Sequence, residues 1–177
     1  NCGPRSAHIA DLDYEVYTTP ENIVDPVLKS VSPKASDPEY AYIECSNGNK
    51  YALTLSGAAN IAGMVPEDDY AHGNIESAKK AWKPLADNMH ITVEEAAEKV
   101  LEFAAVKDKK VVKDLINDYN LNIETVTLVG GGGGASAIVP FLGKTLKCKA
   151  KIANNASVIS PIGVAMALVR DMVERTI

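Results

Sequence analysis

The sequence predicts an α/β layer structure with a mixed sheet, from three observations in chain order. An antiparallel hairpin is predicted in the first third, a helical region in the middle, and a strand–helix–strand–helix pattern at the end. Segments that change from alternating to helical periodicity in this way pack as a sheet covered by helices. The length of 177 residues suits one compact unit with a sizeable core.

The predicted hairpin occupies residues 40–55. Tyr40–Cys45 and Lys50–Leu55 flank an Asn-Gly pair, which supplies the positive φ angles of a tight turn. The alternating run Tyr14–Tyr17 predicts a further strand. Between these segments, residues 20–38 contain four prolines and predict a loop with at most one short helix.

The middle of the chain predicts helices. One is expected over Ile75–Ala86, limited by Pro84. A Thr-x-x-Glu capping box at 92–95 begins the next, whose apolar residues continue at helical spacing to Ala104. A second apolar stripe over Val111–Tyr119 predicts a separate helix after it.

The last third predicts the second α/β portion. Thr125–Val129 is a β-branched, buried strand that leads directly into five glycines, Gly130–Gly134. A helix is expected to start at Ala135, and Lys149–Ala153 predicts another strand. Ser160-Pro161 then predicts a helix start, because Ser suits the N-cap and Pro the first helical position.

The charge distribution points to an anionic ligand. The net charge is −5, which disfavours general nucleic-acid binding, and no apolar stretch is long enough to span a membrane. From Thr125 to Arg170 there is no Asp or Glu. That segment holds five cations, which leaves −10 on the rest of the chain (Lys144, Lys147, Lys149, Lys151, Arg170). An anion site is expected near this segment, although an uncharged core with solvated lysines gives the same pattern.

The cysteines exclude two classes of site. Cys2, Cys45 and Cys148 are odd in number and lack CxxC spacing, which excludes a disulfide framework and a zinc site. Low cysteine content and the lack of a signal peptide predict the cytoplasm. No metal site is expected, and the catalytic residues remain unknown. Because the sequence has no initiator Met, we interpret it as a piece of a longer polypeptide.

The glycine run is the strongest candidate for a ligand site. Five glycines carry a large entropic cost if they only join a strand to a helix. A backbone without side chains lets a ligand lie against the main chain, and N–H groups at the helix start can face an anion. We therefore favour a nucleotide-contacting loop formed by Gly130, Gly131, Gly132, Gly133, Gly134 and Ala135. The alternative is a tight packing joint.

Two common nucleotide motifs fit this loop poorly. A P-loop is rejected because Gly143-Lys144-Thr145 has Ile138 where the first glycine is needed. A dinucleotide fingerprint is satisfied by the glycines, but the acidic residue expected about 20 residues later is missing. That window contains Asn154, which could contact a ribose. A nicotinamide-binding Rossmann domain is therefore a disfavoured alternative. The adenosine loop of actin-like ATPases has the same strand, glycine cluster and helix.

Several stretches of the sequence resemble the C-terminal part of the hydantoinase/oxoprolinase family. The matching stretches are Leu128–Ala135, Ile152–Ala153, Ala156–Ser160, Ile162–Ala167, Gly3–Ala10, Ala52–Leu55 and Ala58–Asn60. The resemblance implies a lobe of ribonuclease-H-like, actin-like ATPase topology. Family members use ATP, with magnesium, to open or activate cyclic amides such as hydantoins and 5-oxoproline.

The resemblance also implies roles for particular residues. The glycine loop would lie against adenosine, and Gly163 would belong to a helix that packs closely between lobes. Arg5, Ser6, His8 and Asn60 would be candidates to face the cleft.

The resemblance further implies an incomplete enzyme. The Asp-x-Gly-Gly-Thr phosphate loops expected upstream are not in this sequence. We interpret 1–177 as one lobe, divided into mainly β residues 1–60, a helical insertion 61–122 and a glycine-loop segment 123–177. Its partners would be the missing N-terminal lobe and a second hydantoinase subunit. Alone it is expected to bind ATP weakly and to hydrolyse nothing. A non-catalytic ATP-switch lobe, as in reactivating chaperones, is the alternative.

Overall fold

A computed structural model of the chain describes residues 12–14, 18–32 and 34–167. The candidate cleft residues Arg5, Ser6 and His8 lie outside the described residues, as does most of the strand predicted over Tyr14–Tyr17. The described part has two sheets and five α-helices, so the predicted mixed α/β class is confirmed.

The first sheet contains four strands in the order β1-β4-β3-β2. They are β1 (Asp13–Tyr14), β2 (Val27–Val31), β3 (Tyr40–Glu44) and β4 (Lys50–Ala52). The β2–β3 and β3–β4 pairs are antiparallel, and β1 pairs in parallel with β4. The predicted hairpin is therefore confirmed, and Gly48 in its loop has a φ of +86°.

Two predictions in this region are wrong. Residues 27–31 form β2 rather than a loop, because all five pair with β3. The second hairpin strand ends at Ala52 rather than Leu55, because Thr54 caps helix α1 (Leu55–Ile61). The Thr54 hydroxyl accepts a hydrogen bond from the Gly57 amide at 3.0 Å, which satisfies one free N–H of the first turn.

Helices α2 (Ile75–Met89) and α3 (Val93–Asp118) follow. Pro84 lies inside α2 instead of limiting it, and the helix continues past Ala86 to Met89. The capping box is confirmed, since the Glu95 carboxylate accepts from the Thr92 amide at 2.8 Å. The two helices predicted after it are one helix of 26 residues, because no Gly or Pro interrupts it.

The second sheet is a parallel pair, β5 (Thr127–Gly130) and β6 (Lys149–Ile152). Helix α4 (Val139–Leu146) connects the two strands after a short 3₁₀ turn at 135–137, and it packs on β6. Helix α5 (Ile159–Met166) follows. Both predicted strands are confirmed, but Ser160 is not an N-cap, because α5 begins one residue before it and has no side-chain cap.

One hydrophobic cluster joins the first sheet to the helices. Trp82 of α2 is its largest fully buried side chain, packed with Ile43 of β3, Leu101 of α3 and Phe141 of α4 in the same cluster. This core also contains residues of α1, which packs on α3. Within the described ranges, no helix combines the length and the apolar character required to cross a bilayer.

Candidate functional site

The glycine run leaves β5 at the carboxyl edge of the parallel pair, where α/β proteins commonly hold ligands. Two backbone hydrogen bonds fasten it to the turn after β6. Gly132 N–H donates to the Ala156 carbonyl at 2.7 Å, and Ala153 N–H donates to the Gly130 carbonyl at 2.8 Å. The loop and the turn therefore form one rigid edge.

Packing and backbone geometry require the first three glycines. A Cβ at Gly130 would lie 2.9 Å from Val139 Cγ2, and one at Gly131 would lie 3.1 Å from Ile159 Cγ2. Gly132 has a φ of +106°, which side-chain-bearing residues rarely adopt. The packing-joint alternative thus accounts for this part of the run.

The last two glycines differ from the first three. A Cβ at Gly133 would lie 3.3 Å from the ring of Tyr70. A Cβ at Gly134 would meet no atom within 4 Å. Neither clash nor positive φ explains Gly134, so the run contains more glycine than the joint itself needs.

A loop at residues 66–73 covers the glycine run and is held there by a buried hydroxyl. Ser136, which is 2% exposed, donates a short hydrogen bond to Asp69 Oδ2. The other oxygen of Asp69 accepts from the Ala71 amide at 2.8 Å. The Asp69 carboxylate therefore fixes both its own loop and the turn that follows the glycines.

Asn60 of α1 holds the same loop by hydrogen bonds. Its side chain is 1% exposed, donates to the Ala71 carbonyl at 2.9 Å and accepts from the Gly73 amide at 2.9 Å. A third bond, to the Ser56 carbonyl, completes the capacity of its NH₂ group. The polar atoms of Asn60 are therefore used in hydrogen bonds inside the protein, and a role in the cleft stays a prediction.

These elements line a solvent-open cavity of about 260 Å³. It is lined by residues 68–70, by Gly132 and Gly133, and by residues 152–157 except Asn154. Asn154 is exposed beside the cavity, while Asn155 and Ser157 contribute to its wall. Gly163 lies on α5 and does not line it.

The charge of the cavity is opposite to the expectation from the sequence. Asp68 and Asp69 line it, and no Lys or Arg of the described segments does. The lysines of the acid-free segment lie on α4 and β6 or at the end of α4. The local excess of positive charge in the sequence therefore does not surround the glycine loop.

Sequence reasoning missed Ser136, Asp69 and Tyr70 as parts of this site. Asp69 is half-buried against Ser136. These two partners are 67 positions apart, so no local pattern links them. The only usable signal was Ser136 itself, a polar residue directly after the glycine run.

The described residues offer no metal site or activated nucleophile near the cavity. No three His, Cys, Asp or Glu side chains converge in this part of the chain. Burial raises the pKa of the Cys45 thiol, which lies in the core and away from the cavity.

The fold and this cavity define a class: a mixed α/β protein with a candidate small-ligand site on a glycine loop. The family model for hydantoinase/oxoprolinase matches residues 2–173. The chain therefore belongs to the hydantoinase/oxoprolinase family. Searches of curated proteins and of solved structures gave no match.

Proposed function

We propose that the chain is the adenosine-binding lobe, with actin-like topology, of an ATP-dependent hydantoinase/oxoprolinase-type enzyme that acts on cyclic amides. The observation that carries this proposal is the cavity over a side-chain-free loop, at the carboxyl edge of a parallel strand pair, in a member of this family. Such a loop allows a planar ligand to approach the backbone closely.

The size and charge of the cavity favour the nucleoside part of a nucleotide. Its volume of about 260 Å³ is below the range of roughly 300–1,000 Å³ for complete ligand pockets, so it suits one portion of a ligand. Asp68 is a hydrogen-bond acceptor for ribose hydroxyls, whereas its charge would repel phosphates. Tyr70 offers a ring beside Gly133 for contact with a base.

The strand arrangement favours an actin-like lobe over a Rossmann domain. In the described residues the parallel pairs are β5–β6 and β1–β4, each only two strands wide, and the remaining pairs of the first sheet are antiparallel. A dinucleotide-binding domain needs a wider parallel sheet with a crossover on each side of the switch point.

An exposed apolar helix supports a partner lobe. Val164 and Met166 of α5 are 76% and 77% exposed, and all of α5 is accessible to solvent. Contiguous apolar surface of this kind commonly marks an interface. The missing lobe would also have to supply the phosphate and magnesium ligands, because the described residues do not contain a suitable cluster.

Titration of the 177-residue chain with adenosine and ATP, followed by amide NMR shifts, tests the proposal. We expect weak saturable shifts at Gly132, Gly133, Ala153 and Ser157. Gly133→Ala should weaken binding by about threefold or more, since its methyl group projects toward Tyr70. Gly134→Ala is the matched control, because its methyl group enters open space.

Three results would contradict parts of the proposal. If neither ligand shifts these amides at millimolar concentration, the adenosine site is wrong. Saturable binding of NADH, but not of adenosine, would favour the dinucleotide alternative. ATP hydrolysis by the isolated chain would overturn the view that it is one inactive lobe.

A further inference from the structure

A second cavity lies between the end of α3 and the end of α4, away from the glycine loop. Its volume is about 450 Å³, larger than that of the glycine-loop cavity. Three lysines line it: Lys109 and Lys113 from α3, and Lys147 from the residue that caps α4. No Asp or Glu of the described chain contributes to its wall.

These three lysines have no anionic partner in the described part of the structure. Other lysines do pair: Lys79 Nζ lies 2.7 Å from Glu94 Oε1, and Lys83 Nζ lies 2.7 Å from Asp87 Oδ1. Lys109 and Lys113 are four residues apart on one helix face, an arrangement in which like charges repel. A bound anion would relieve that repulsion.

The helix dipole explains only part of this charge. Lys147 is at the C-terminal end of α4, where a cation is favoured. Lys109 lies more than two turns before the end of α3, beyond the range of that effect. A dipole therefore does not account for all three lysines facing one cavity.

The backbone of Lys147 is a further feature of this wall, and His90 ends α2 in the same left-handed conformation. Lys147 adopts this conformation, with φ 56° and ψ 37°, at a helix end where Gly or Asn is usual. A lysine in this conformation carries a steric cost that glycine would avoid. Its side chain lines the cavity and adds the third positive charge.

The remaining wall defines the ligand further. Ile116, Ile123 and Leu146 form apolar surface, and Asn117 and Thr145 add polar groups. Ile116 and Ile123 are half-buried, and Leu146 is buried. A ligand that contacts this surface needs an apolar body as well as an anionic group, because lysine contacts alone at a solvated surface bind weakly.

We propose that this cavity binds a small organic anion, with a carboxylate or phosphate group held by Lys109, Lys113 and Lys147 and an apolar body held against Ile116, Ile123 and Leu146. The site is separate from the glycine loop and does not depend on the nucleotide proposal. It also gives a role to Lys147, which belongs to the acid-free segment of the sequence.

Amide NMR titration with three probes tests this proposal. Hexyl phosphate and hexanoate carry both required parts, with the two alternative anionic groups, while inorganic phosphate carries only the charge. We expect the two organic probes to shift Asn117, Ile123, Thr145 and Lys147, and to bind more tightly than phosphate. The preferred anionic group follows from which organic probe binds better.

Two triple variants distinguish a specific anion site from nonspecific binding to surface charge. Lys109→Gln, Lys113→Gln and Lys147→Gly together remove the cavity charge, and glycine retains the left-handed backbone. Lys110→Gln, Lys144→Gln and Lys149→Gln remove the same charge from exposed positions outside the cavity. Hexyl phosphate affinity should fall about tenfold or more in the first variant and by less than about twofold in the second.

Three outcomes would overturn the proposal. One is an equal loss of affinity in both variants, which would indicate nonspecific binding to surface lysines. Another is organic probes that bind no better than phosphate. The third is shifts at Gly132, Gly133 and Ser157 in place of the cavity amides, which would assign the anion to the glycine loop.

Discussion

The contact between Ser136 and Asp69 determines the shape of the glycine-loop site at the residue scale. Ser136 is buried, and the carboxylate it contacts also organises the loop that carries Tyr70. Removing the hydroxyl leaves a half-buried carboxylate oxygen without this donor. Such a loss costs more than the hydrogen bond contributes, because the remaining group stays desolvated.

We therefore expect Ser136→Ala to lower the free energy of unfolding by about 1–2 kcal/mol in urea denaturation. Ser157→Ala is the control, since Ser157 is exposed and should change stability by no more than about 0.5 kcal/mol. The Ser136→Ala and Asp69→Ala effects should be non-additive in a double-mutant cycle. Additive effects would mean that the two side chains do not act as a pair.

This residue-scale geometry shows what the sequence could not provide. The glycine loop itself was predictable, because strand, glycines and helix are contiguous. Asp69, Tyr70 and the buried role of Asn60 depend on where the loop after α1 folds, and core packing decides that. The predicted positive charge around the glycine loop is also absent from the cavity wall, because five cations in one segment of the sequence need not lie on one surface.

At the element scale, elements encoded by neighbouring residues were predicted correctly, whereas an element that depends on pairing with a distant strand was not. The hairpin turn and the capping box are encoded by neighbouring residues, and both were predicted. Strand β2 lies between prolines and becomes a strand by pairing with β3. The continuity of α3 is the opposite case: two apolar stripes suggested two helices, but no residue between them stops the helix.

The capping box also predicts a pH dependence. Hydrogen bonds from Thr92 lower the pKa of Glu95 below its usual value in the folded state. The ionised carboxylate therefore stabilises the helix start above the unfolded-state pKa, and this contribution is lost as pH falls through the folded-state pKa. Glu95→Gln should lower Tm at pH 7 relative to wild type, and the difference should shrink by pH 3. Glu98→Gln, which replaces the next acid on α3, is the control. An equal pH-dependent change in that variant would contradict the assignment of the effect to the capping box.

At the scale of the whole molecule, the distribution of apolar surface separates the core from a candidate interface. Leu142 of α4 is 6% exposed and belongs to the main cluster. Val164 and Met166 of α5 are largely exposed, although the helix is the most apolar stretch after the glycine loop. Exposed apolar surface on a helix commonly marks an interface.

We therefore expect charged substitutions on α5 to improve the solution behaviour of the isolated chain without destabilising it. Val164→Glu with Met166→Glu should change the unfolding free energy by no more than about 0.5 kcal/mol per site, since neither side chain is buried. The same variant should lower dye binding to exposed apolar surface and reduce self-association in sedimentation. Leu142→Glu is the contrasting variant and should unfold the protein, because it places a charge in the core. If the α5 variant instead loses stability as Leu142→Glu does, α5 is packed within the chain and is not an interface for a partner lobe.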